Sequence, residues 1–488
     1  MISFYSRLAL SFALVISLSG CIKVGPNFTP PIENLPPFSS IVDQAPQLLD
    51  TESAIRPNWW RSFKSDQLNT LVERALIANT DIRLATARLE QVTAARGVSL
   101  SALYPSIDVE ASSIENRNSE LGATPPGLPL EFDLHTVGAN LGWELDLFGR
   151  LRRSVEKANA DIEATLADRR GVLILVIAQT TASYFELRSL QDRLAIIEEN
   201  EQIAKKSLEL TELLVSQNLG AEFNVVRARA ELSETTAQKT DIQAALRATA
   251  ARIAVLTGDA PSSMIDELVS SKGSLPEPQL IPIGLPSQLV ARRPDIRAAE
   301  RRYASAFADI GINIANYFPR FSLTGGYDSS ALSVDNLFSS ASKAWTIGGV
   351  LNWPLLDFGR RKALVKSAKA GARGAQAAYD GVILSAFEDV ERSLAAYVFA
   401  VQKTNHLKQA VTDRERALAL AQKRFDSGLD NFFEVLDAQR RLAATKNTLA
   451  AARSEALSAQ VRVYQSIGGG WEVAEQTLTS EPDQPVNR

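Results

Sequence analysis

The chain is poor in cysteine, in histidine and in long apolar runs. Its 488 residues include one cysteine, Cys21, and two histidines, His135 and His406. A single cysteine excludes a disulfide within the chain and a cysteine-based metal site, and the histidines fall in no ligand pattern. No phosphate loop or nucleophile motif occurs, and the run 468–470 of three glycines follows a predicted helix instead of opening one. We therefore expect no enzyme activity, no metal and no cofactor.

The chain also lacks a charge bias and a membrane-spanning helix. Its 52 basic and 56 acidic residues give a formal net charge of -4, which predicts no general affinity for nucleic acid. After the first twenty residues no stretch has 18 consecutive apolar residues, and the longest candidate, 172–178, is interrupted at Gln179. If the chain spans a membrane, it does so with strands, because a lipid-exposed backbone must satisfy its own hydrogen bonds.

The N-terminus has the pattern of a bacterial lipoprotein signal. Arg7 precedes an apolar run, 8–18, which ends in Leu18-Ser19-Gly20-Cys21 and has the length of a signal-peptide core. Small residues ahead of a lone cysteine resemble a lipobox, so we expect residues 1–20 to be removed and Cys21 to be lipidated. The alternative is an unmodified, buried cysteine. Ile22 in the next position is consistent with delivery to the outer membrane.

The sequence contains two similar halves. Residues 79–112 match 293–326 at a constant offset of 214, and Phe148-Gly149-Arg150 matches Phe358-Gly359-Arg360 at an offset of 210. The first copy is therefore four residues longer between these motifs. Two long copies predict a duplicated structural unit with internal pseudo-symmetry, which suits a ring or tube better than a catalytic cleft.

Proline placement predicts where the helices lie. Residues 130–260 and 355–481 contain no proline and are rich in good helix formers. In the second stretch apolar residues recur every seven positions, with small residues three places later, as in a coiled-coil seam that lets helices approach closely. These heptad positions are Val435, Leu442, Leu449, Ala456 and Val463. Lys239 breaks the corresponding seam of the first stretch.

Two shorter helices begin near an acidic residue that favours the helix dipole. Their starts are Asn79-Thr80-Asp81 and Arg293-Pro294-Asp295. The second start is basic on both sides, so an anion site is the alternative to a structural helix start.

Alternating apolar residues predict two β-hairpins between the helices. Strands of about ten residues with one apolar face have the size needed to cross an outer membrane. Four strands cannot close a barrel, because small barrels need about eight or more. Closure therefore requires several copies of the chain.

We predict an α+β fold in two tandem repeats. Its parts are a signal peptide at 1–20, a lipid-anchored tether at 21–60, a first repeat at 61–260, a linker at 261–286, a second repeat at 287–470 and a C-terminal tail at 471–488. The β-hairpins are expected near 106–146 and 320–356, and the tips of two helical hairpins near 217–223 and 427–433.

The residues quoted above resemble the TolC-like outer-membrane efflux factors, in particular their lipoprotein (NodT) branch. The likeness covers nearly the whole mature chain, including Val24-Gly25-Pro26-Asn27-Phe28, Trp59-Trp60 and both Phe-Gly-Arg turns. It implies a homotrimer in which each chain gives four strands to one outer-membrane β-barrel and its helices to a long periplasmic α-helical barrel. It also implies a periplasmic adaptor and an inner-membrane pump of the RND type as partners, with no nucleic acid.

The resemblance assigns a periplasmic gate to Glu434 and Asp437, where family members carry paired acids at the narrowest point. Their i, i+3 spacing puts both carboxylates on one helix face, and trimerisation makes two rings of three charges that can bind cations. The alternative is a solvated helix face on which Asp437 pairs with Arg441.

The closing contacts must differ from those family members in which a basic residue near the hairpin tip holds the gate shut. Asp430 takes that position here, and Asn224 takes it in the first repeat. Arg227, Arg440 and Arg441 are available substitutes, and the sequence leaves the choice among them open.

The hairpin tips have the Gly-Leu character that the family uses to dock an adaptor. The residues concerned are Leu219, Gly220, Gly428 and Leu429. A plain helix-turn-helix connection explains the glycines equally well.

The resemblance implies the outer-membrane channel of a tripartite efflux system, and the lipobox favours small-molecule cargo. An exit duct for polypeptides has the same fold and is one alternative. A periplasmic adaptor lipoprotein is the other, although it is expected to have a single helical hairpin.

Overall fold

A computed structural model describes residues 22–31, 45–50, 56–121, 129–271, 273–283 and 292–480. Cys21 and the predicted signal peptide lie outside the described residues, as do parts of the predicted tether, linker and tail. The chain divides into two compact units. The first combines the described parts of Met1–Pro31 and Arg88–Thr165 with Ala298–Asp380, and the second combines those of Ile32–Ala87, Leu166–Arg297 and Gly381–Arg488.

Both halves of the chain contain a 22-residue helix followed by two strands and two long helices, whereas the elements before that helix differ and the second half ends with an additional helix. The first half contains β1 (Leu49–Asp50), a 3₁₀ turn (Trp59–Phe63), α1 (Asp66–Ala78), α2 (Thr80–Ser101), β2 (Ser106–Arg117), β3 (Glu131–Leu145), α3 (Arg150–Ser216) and α4 (Glu222–Leu256). The second half contains α5 (Pro261–Ser270), β4 (Ile281–Pro282), α6 (Pro294–Ala315), β5 (Arg320–Ala331), β6 (Lys343–Asn352), α7 (Arg360–Asp426), α8 (Phe432–Ser466) and α9 (Trp471–Ser480).

The duplication seen in the sequence recurs in the lengths of the elements. Helices α2 and α6 have 22 residues each, and strands β2 and β5 have 12 each. Helices α3 and α7 have 67 residues each, and α4 and α8 have 35 each. The start of α3 and the start of α7 are 210 residues apart, and the starts of α2 and α6 are 214 apart. From α2 and α6 onward the two halves therefore repeat at the offsets of the sequence, with the difference that β3 has 15 residues and β6 has 10.

The two proline-free stretches form long helices, as predicted. At a rise of about 1.5 Å per residue, each 67-residue helix is about 100 Å long. In the described parts of the chain, none of the helices is both long and apolar enough to cross a bilayer.

The starts of α2 and α6 are structural, as their acidic first turns predict. Asn79 caps α2, because its Oδ1 accepts hydrogen bonds from the backbone N–H groups of Asp81 and Ile82 at 2.9 and 3.3 Å. At the start of α6 the buried Arg293 guanidinium donates to the carbonyl oxygen of Ser466 at 2.7 Å and to the carboxylate of Asp295 at 2.7 Å. Arg293 thus uses its donors on groups of the protein itself.

Four strands form one antiparallel sheet in the order β2-β3-β5-β6. Within the first hairpin Ser106 pairs with Gly142, and within the second Arg320 pairs with Asn352. Strands β3 and β5 join the two repeats. Strands β2 and β6 are the edges, so each presents a row of backbone donors and acceptors that the described sheet does not pair.

The core of the second unit is built around an aromatic cluster. The rings of Trp59 and Tyr464 stack with their centroids 4.7 Å apart, and Trp60 meets Trp59 edge to face. Phe63 packs against Phe185 of α3 with centroids 4.8 Å apart. Offset and edge-to-face pairs of this kind add to the free energy gained from burying the rings. The cluster ties the 3₁₀ turn to the two helical hairpins.

The predicted seam of small residues on α8 is buried over most of its length. Val435, Ala456 and Val463 have no exposed surface. On α4 the charge that interrupts the matching seam is paired, since Nζ of Lys239 lies 2.9 Å from Glu201 of α3. An ion pair replaces apolar contact at that level.

Several segments at the ends and between the repeats have more structure than their predicted roles require. The linker contains helix α5, and β4 within it pairs in parallel with β1 of the predicted tether. The predicted tail begins with helix α9, where Arg170 of α3 lies 4.3 Å above the ring of Trp471 and pairs with Glu475 at 2.9 Å. Apolar burial at Ala474 anchors this helix, and composition alone does not reveal that contact.

Candidate functional site

The predicted gate acids lie in the first two turns of α8. Asn431 caps the helix by accepting hydrogen bonds from the N–H groups of Phe433 and Glu434 at 3.0 and 3.3 Å. This cap fixes the direction in which α8 starts, and with it the positions of Glu434 and Asp437 one turn apart. Both carboxylates therefore lie on one side of the helix, as the spacing predicts.

The two acids have different surroundings. Asp437 accepts hydrogen bonds from Arg441 at 2.6 Å and from Arg440 at 3.1 Å. Partial burial acts to raise the pKa of Asp437, but these hydrogen bonds outweigh it and hold the pKa below its usual value. Glu434 is exposed and forms no ion pair within the described residues. The charge of Asp437 is thus balanced within its own helix, whereas that of Glu434 is not.

Contacts between the two helical hairpins surround these acids. The guanidinium of Arg227 on α4 lies 4.5 Å from the centre of the Phe433 ring on α8, a cation–π geometry. Nη1 of Arg440 lies 3.8 Å from Oε2 of Glu231 on α4. A groove between α3, α4 and α8 is lined by all four of these side chains and by both acids. The structure therefore brings together Arg227, Arg440 and the two predicted gate acids, which the sequence could only name as candidates.

Asp430 and Asn224 take no part in these contacts between hairpins. Asp430 forms an ion pair with Arg424, six residues earlier in the same hairpin. The side chain of Asn224 is half-buried and makes no hydrogen bond in the described part of the chain. Of the predicted latch residues, Asp430 stabilises the second tip, and the side chain of Asn224 has no hydrogen-bond partner among the residues that the structure describes.

The hairpin tips present apolar side chains to the outside. Leu219 is 76% exposed and Leu429 is 69% exposed. Each follows a residue in the left-handed region, Asn218 with φ 60° in the first tip and Gly428 with φ 70° in the second. Glycine adopts that conformation without strain, so Gly428 serves the turn itself. Leu219 and Leu429 do not occupy the left-handed positions, so the turns do not depend on their backbone conformation.

The four-stranded sheet is amphipathic. In the register of the strands one face carries apolar side chains that are 36% to 82% exposed: Ile107, Val109, Leu141, Trp143, Leu323, Tyr327, Trp345, Ile347 and Leu351. The opposite face carries Asp108, Glu110, Asn140, Thr324, Asp328 and Thr346. An exposed apolar face of this extent indicates contact with a partner or with lipid.

The segment that follows Cys21 is bound by a buried arginine near the start of α3. The Arg153 side chain has no exposed surface. It donates hydrogen bonds to the carbonyl oxygens of Val24 and Gly25, at 3.2 and 2.9 Å, and to Oδ1 of Asn27 at 3.1 Å. Its remaining donors reach Glu156 at 2.9 Å. Residues 23–28, here called the N-terminal strap, are therefore held in place by hydrogen bonds from one buried side chain, that of Arg153.

Other contacts complete the site of the strap. Nζ of Lys23 lies 2.8 Å from Glu156. A Cβ on Gly25 would come 2.8 Å from the Cα of Gly311, so the strap approaches α6 as closely as glycine allows. The ring of Phe28 meets Tyr303 edge to face with centroids 5.2 Å apart. Burial acts to raise the pKa of Glu156, but its bonds to Lys23 and Arg153 hold the pKa below the usual value.

Sequence reasoning missed Arg153 and Glu231. A signal for Arg153 exists, because the run Arg150-Leu151-Arg152-Arg153 corresponds to Arg360-Arg361-Lys362-Ala363 in the second repeat. The first repeat therefore has a basic residue where the second has alanine. No local pattern distinguishes Glu231 from the other acids on α4.

Comparison with known proteins gives consistent results over both repeats. The family model described as outer membrane efflux protein matches residues 71–259 and 285–469. Residue 285 follows 71 by 214 and residue 469 follows 259 by 210, which are the offsets of the internal duplication.

Individual relatives match over most of their length. The solvent efflux pump outer membrane protein SrpC of Pseudomonas putida is 29% identical over 414 residues, which cover 85% of this chain and 87% of SrpC. The probable outer membrane lipoprotein SilC of Salmonella typhimurium is 28% identical over 463 residues, which cover 95% of this chain and 98% of SilC. The solved structure of the outer-membrane channel OprN superposes with a TM-score of 0.82 at 33% identity, over 92% of this chain and 100% of OprN.

Proposed function

This chain belongs to the outer membrane efflux protein family and is an outer-membrane efflux channel, and from that premise we propose that three copies of it join their sheets into one β-barrel. The observation that carries the proposal is the amphipathic sheet with two free edges. Four strands are too few to close, because small barrels need about eight or more, and three copies supply twelve. The exposed apolar face then contacts lipid and the polar face lines the lumen.

We propose that the long helices continue this barrel as a periplasmic tunnel. Helices of about 100 Å exceed what one compact globule buries. Neighbouring copies supply the missing partners for their exposed apolar side chains, among them Leu384 and Phe399. A tripartite system needs an adaptor and an inner-membrane pump, and we propose a pump of the RND type. The family assignment sets aside the alternative that the chain is itself an adaptor.

The hairpin tips are the proposed adaptor-docking sites. Leu219 and Leu429 are exposed at the two tips, next to Gly220 and Gly428. An adaptor hairpin with small apolar residues at its own tip fits a pair of exposed leucines, since burying each leucine on binding removes apolar surface from water.

We propose that Glu434 and Asp437 form the periplasmic constriction. In a trimer each acid contributes one of three charges to a ring around the axis, and like charges that converge on an axis repel one another. The closed state therefore depends on other contacts. The proposed latch consists of Arg227 with Phe433 and of Arg440 with Glu231, because these contacts join the two hairpins of one chain.

The mature chain is proposed to begin with a lipidated Cys21. The N-terminal strap supports this, because the hydrogen bonds from Arg153 hold residues 23–28 close to the start of α3. The strap thereby fixes where a lipid attached to the preceding cysteine can enter the bilayer. Mass spectrometry of the mature protein should show a diacyl or triacyl cysteine at its N-terminus. An intact Met1 or an unmodified Cys21 contradicts the proposal. The combination of lipid anchor and channel favours small-molecule cargo.

The trimer is tested with the full-length protein extracted from membranes in detergent. Native mass spectrometry should give three chains, and the same preparation should form ion-conducting channels in a planar bilayer. Unpaired strand edges are costly in lipid, so the assembly should resist dissociation. A stable folded monomer without conductance contradicts the proposal.

A further inference from the structure

The two repeats of one chain meet at a stacked aromatic pair. The rings of Phe148 and Phe318 have their centroids 4.6 Å apart and an angle of 21° between their planes. Phe148 follows β3 and Phe318 precedes β5, the two strands that pair across the repeats. The stack therefore lies beside the paired strands that join the two repeats, at the place where β3 ends and β5 begins.

The duplication supplies a second copy of each ring. Phe358 lies 210 residues after Phe148, and Tyr104 lies 214 residues before Phe318. Phe358 follows the edge strand β6 and Tyr104 precedes the edge strand β2. Phe358 is 94% exposed and Tyr104 is 68% exposed, and neither ring has an aromatic contact within the described residues. A ring equivalent to Phe148 thus lies next to the open edge at β6, and a ring equivalent to Phe318 lies next to the open edge at β2.

The strand register carries the same correspondence. Across the repeats Trp143 of β3 lies opposite Leu323 of β5. The offset of 210 converts Trp143 to Trp353, and the offset of 214 converts Leu323 to Val109. Trp353 and Val109 are both exposed, and Val109 belongs to the apolar face of the sheet.

We propose that Phe358 of one copy stacks on Tyr104 of the next copy. We also propose that β6, continued by one residue to Trp353, pairs antiparallel with β2 in the register that places Trp353 opposite Val109. The occupant of each open edge is thus a second copy of this chain. The inference rests on the proposed assembly of several copies and adds to it the contact residues and the register. The same geometry then occurs at every seam of the barrel, within chains and between them.

Cysteine cross-linking tests the register. The chain has one native cysteine, Cys21, so introduced pairs report without background from others. The variant Val109→Cys/Trp353→Cys, oxidised in outer-membrane vesicles, should give dimer and trimer bands on non-reducing gels. Each single variant should give monomer only. The matched positive control is Trp143→Cys/Leu323→Cys, which should form a disulfide within one chain without a change in mass.

A shifted pair tests the specific alignment. Val109→Cys/Leu355→Cys moves the partner by two residues along the strand, and the larger separation should cut the cross-linked fraction several-fold, because disulfides form only over short Cβ distances. Stronger cross-linking of the shifted pair would overturn the register. Loss of all bands while the parent is a conducting oligomer would overturn the contact and leave the proposed function standing. A parent that forms no oligomer would overturn both.

The aromatic contact has a separate readout that does not depend on disulfide formation. Phe358→Ala should lower the temperature at which the oligomer dissociates in detergent. Leu356→Ala is the control, since Leu356 is 77% exposed two residues earlier and its counterpart in the first repeat is Asp146, outside the stack. Equal dissociation temperatures for both variants would overturn the stacking of Phe358 on Tyr104.

Discussion

The carboxylate of Asp437 lies 2.6 Å from Nε of Arg441, one helical turn further along α8. This is the pairing expected of a solvated helix face, yet the same carboxylate lies in the groove where the two hairpins meet. Glu434, one turn earlier, forms no ion pair in the described chain. The two proposed gate acids are therefore unequal, and the unpaired one should have the larger effect on cations.

The first prediction concerns the gate. Replacing both Glu434 and Asp437 by Ala should leave trimer stability nearly unchanged, raise single-channel conductance in a planar bilayer and weaken block by multivalent cations. Glu434→Gln alone should weaken the block more than Asp437→Asn, because the arginines already balance the charge of Asp437. Lysine at either position should shift selectivity toward anions. A double Ala variant that conducts and is blocked like the parent would identify these acids as an ordinary helix face.

The second prediction concerns the latch. An exposed ion pair contributes at most about 1 kcal/mol and an exposed cation–π contact about 0.5–1 kcal/mol. A trimer loses three copies of the contact in each variant. Arg440→Ala and Arg227→Ala should therefore each raise the open probability by at most about two orders of magnitude if the three losses add, and the double variant should raise it further. The control is Arg229→Ala, which loses a pair with Glu212 inside the first hairpin only. An equal effect of Arg229→Ala would show that general loss of charge, and not the contact between hairpins, opens the channel.

The third prediction concerns the N-terminal strap. Arg153→Met removes a buried cation together with its bonds to the strap, and breaking such a contact typically costs about 3 kcal/mol. The backbone N–H of Val24 donates to the carbonyl oxygen of Phe148 at 3.2 Å, and hydrogen exchange of this amide should accelerate by about two orders of magnitude. Lys23→Ala, which loses only a partly exposed ion pair, should change the exchange by less than tenfold. An unchanged exchange rate in Arg153→Met would show that Arg153 does not hold the strap in place.

The fourth prediction is a pH dependence of the same contact. Because the pKa of Glu156 in the folded protein lies below its ordinary value of 4.5, ionised Glu156 stabilises the strap above that value. The stabilisation should be lost as the pH falls from about 4.5 through the lowered pKa. Protease cleavage near residue 25 should therefore rise on acidification, and Glu156→Gln should remove most of this pH dependence at the cost of weaker protection at neutral pH. A cleavage rate that depends on pH equally in both proteins would point to another group.

Much of the fold follows from the sequence because the relevant information is periodic or repeated. The absence of proline predicts the two 67-residue helices, since one proline in a helix interior breaks it. The offsets of 214 and 210 recur in the element starts and in the strand register, because a duplication preserves the spacing of every motif. The shared face of Glu434 and Asp437 follows from helical geometry alone.

Tertiary structure decided which side chains meet. Arg153 binds Gly25, which lies 128 residues away along the chain, and Arg440 approaches Glu231 across 209 residues. Such contacts leave no local periodicity, because they depend on how two helices or a helix and a strap are positioned and not on the spacing within either. The sequence by itself determined the repeats, the long helices and the amphipathic strands. Packing between distant segments determined which side chain binds the strap, which acid lies beside Arg440, and the unequal surroundings of the two proposed gate acids.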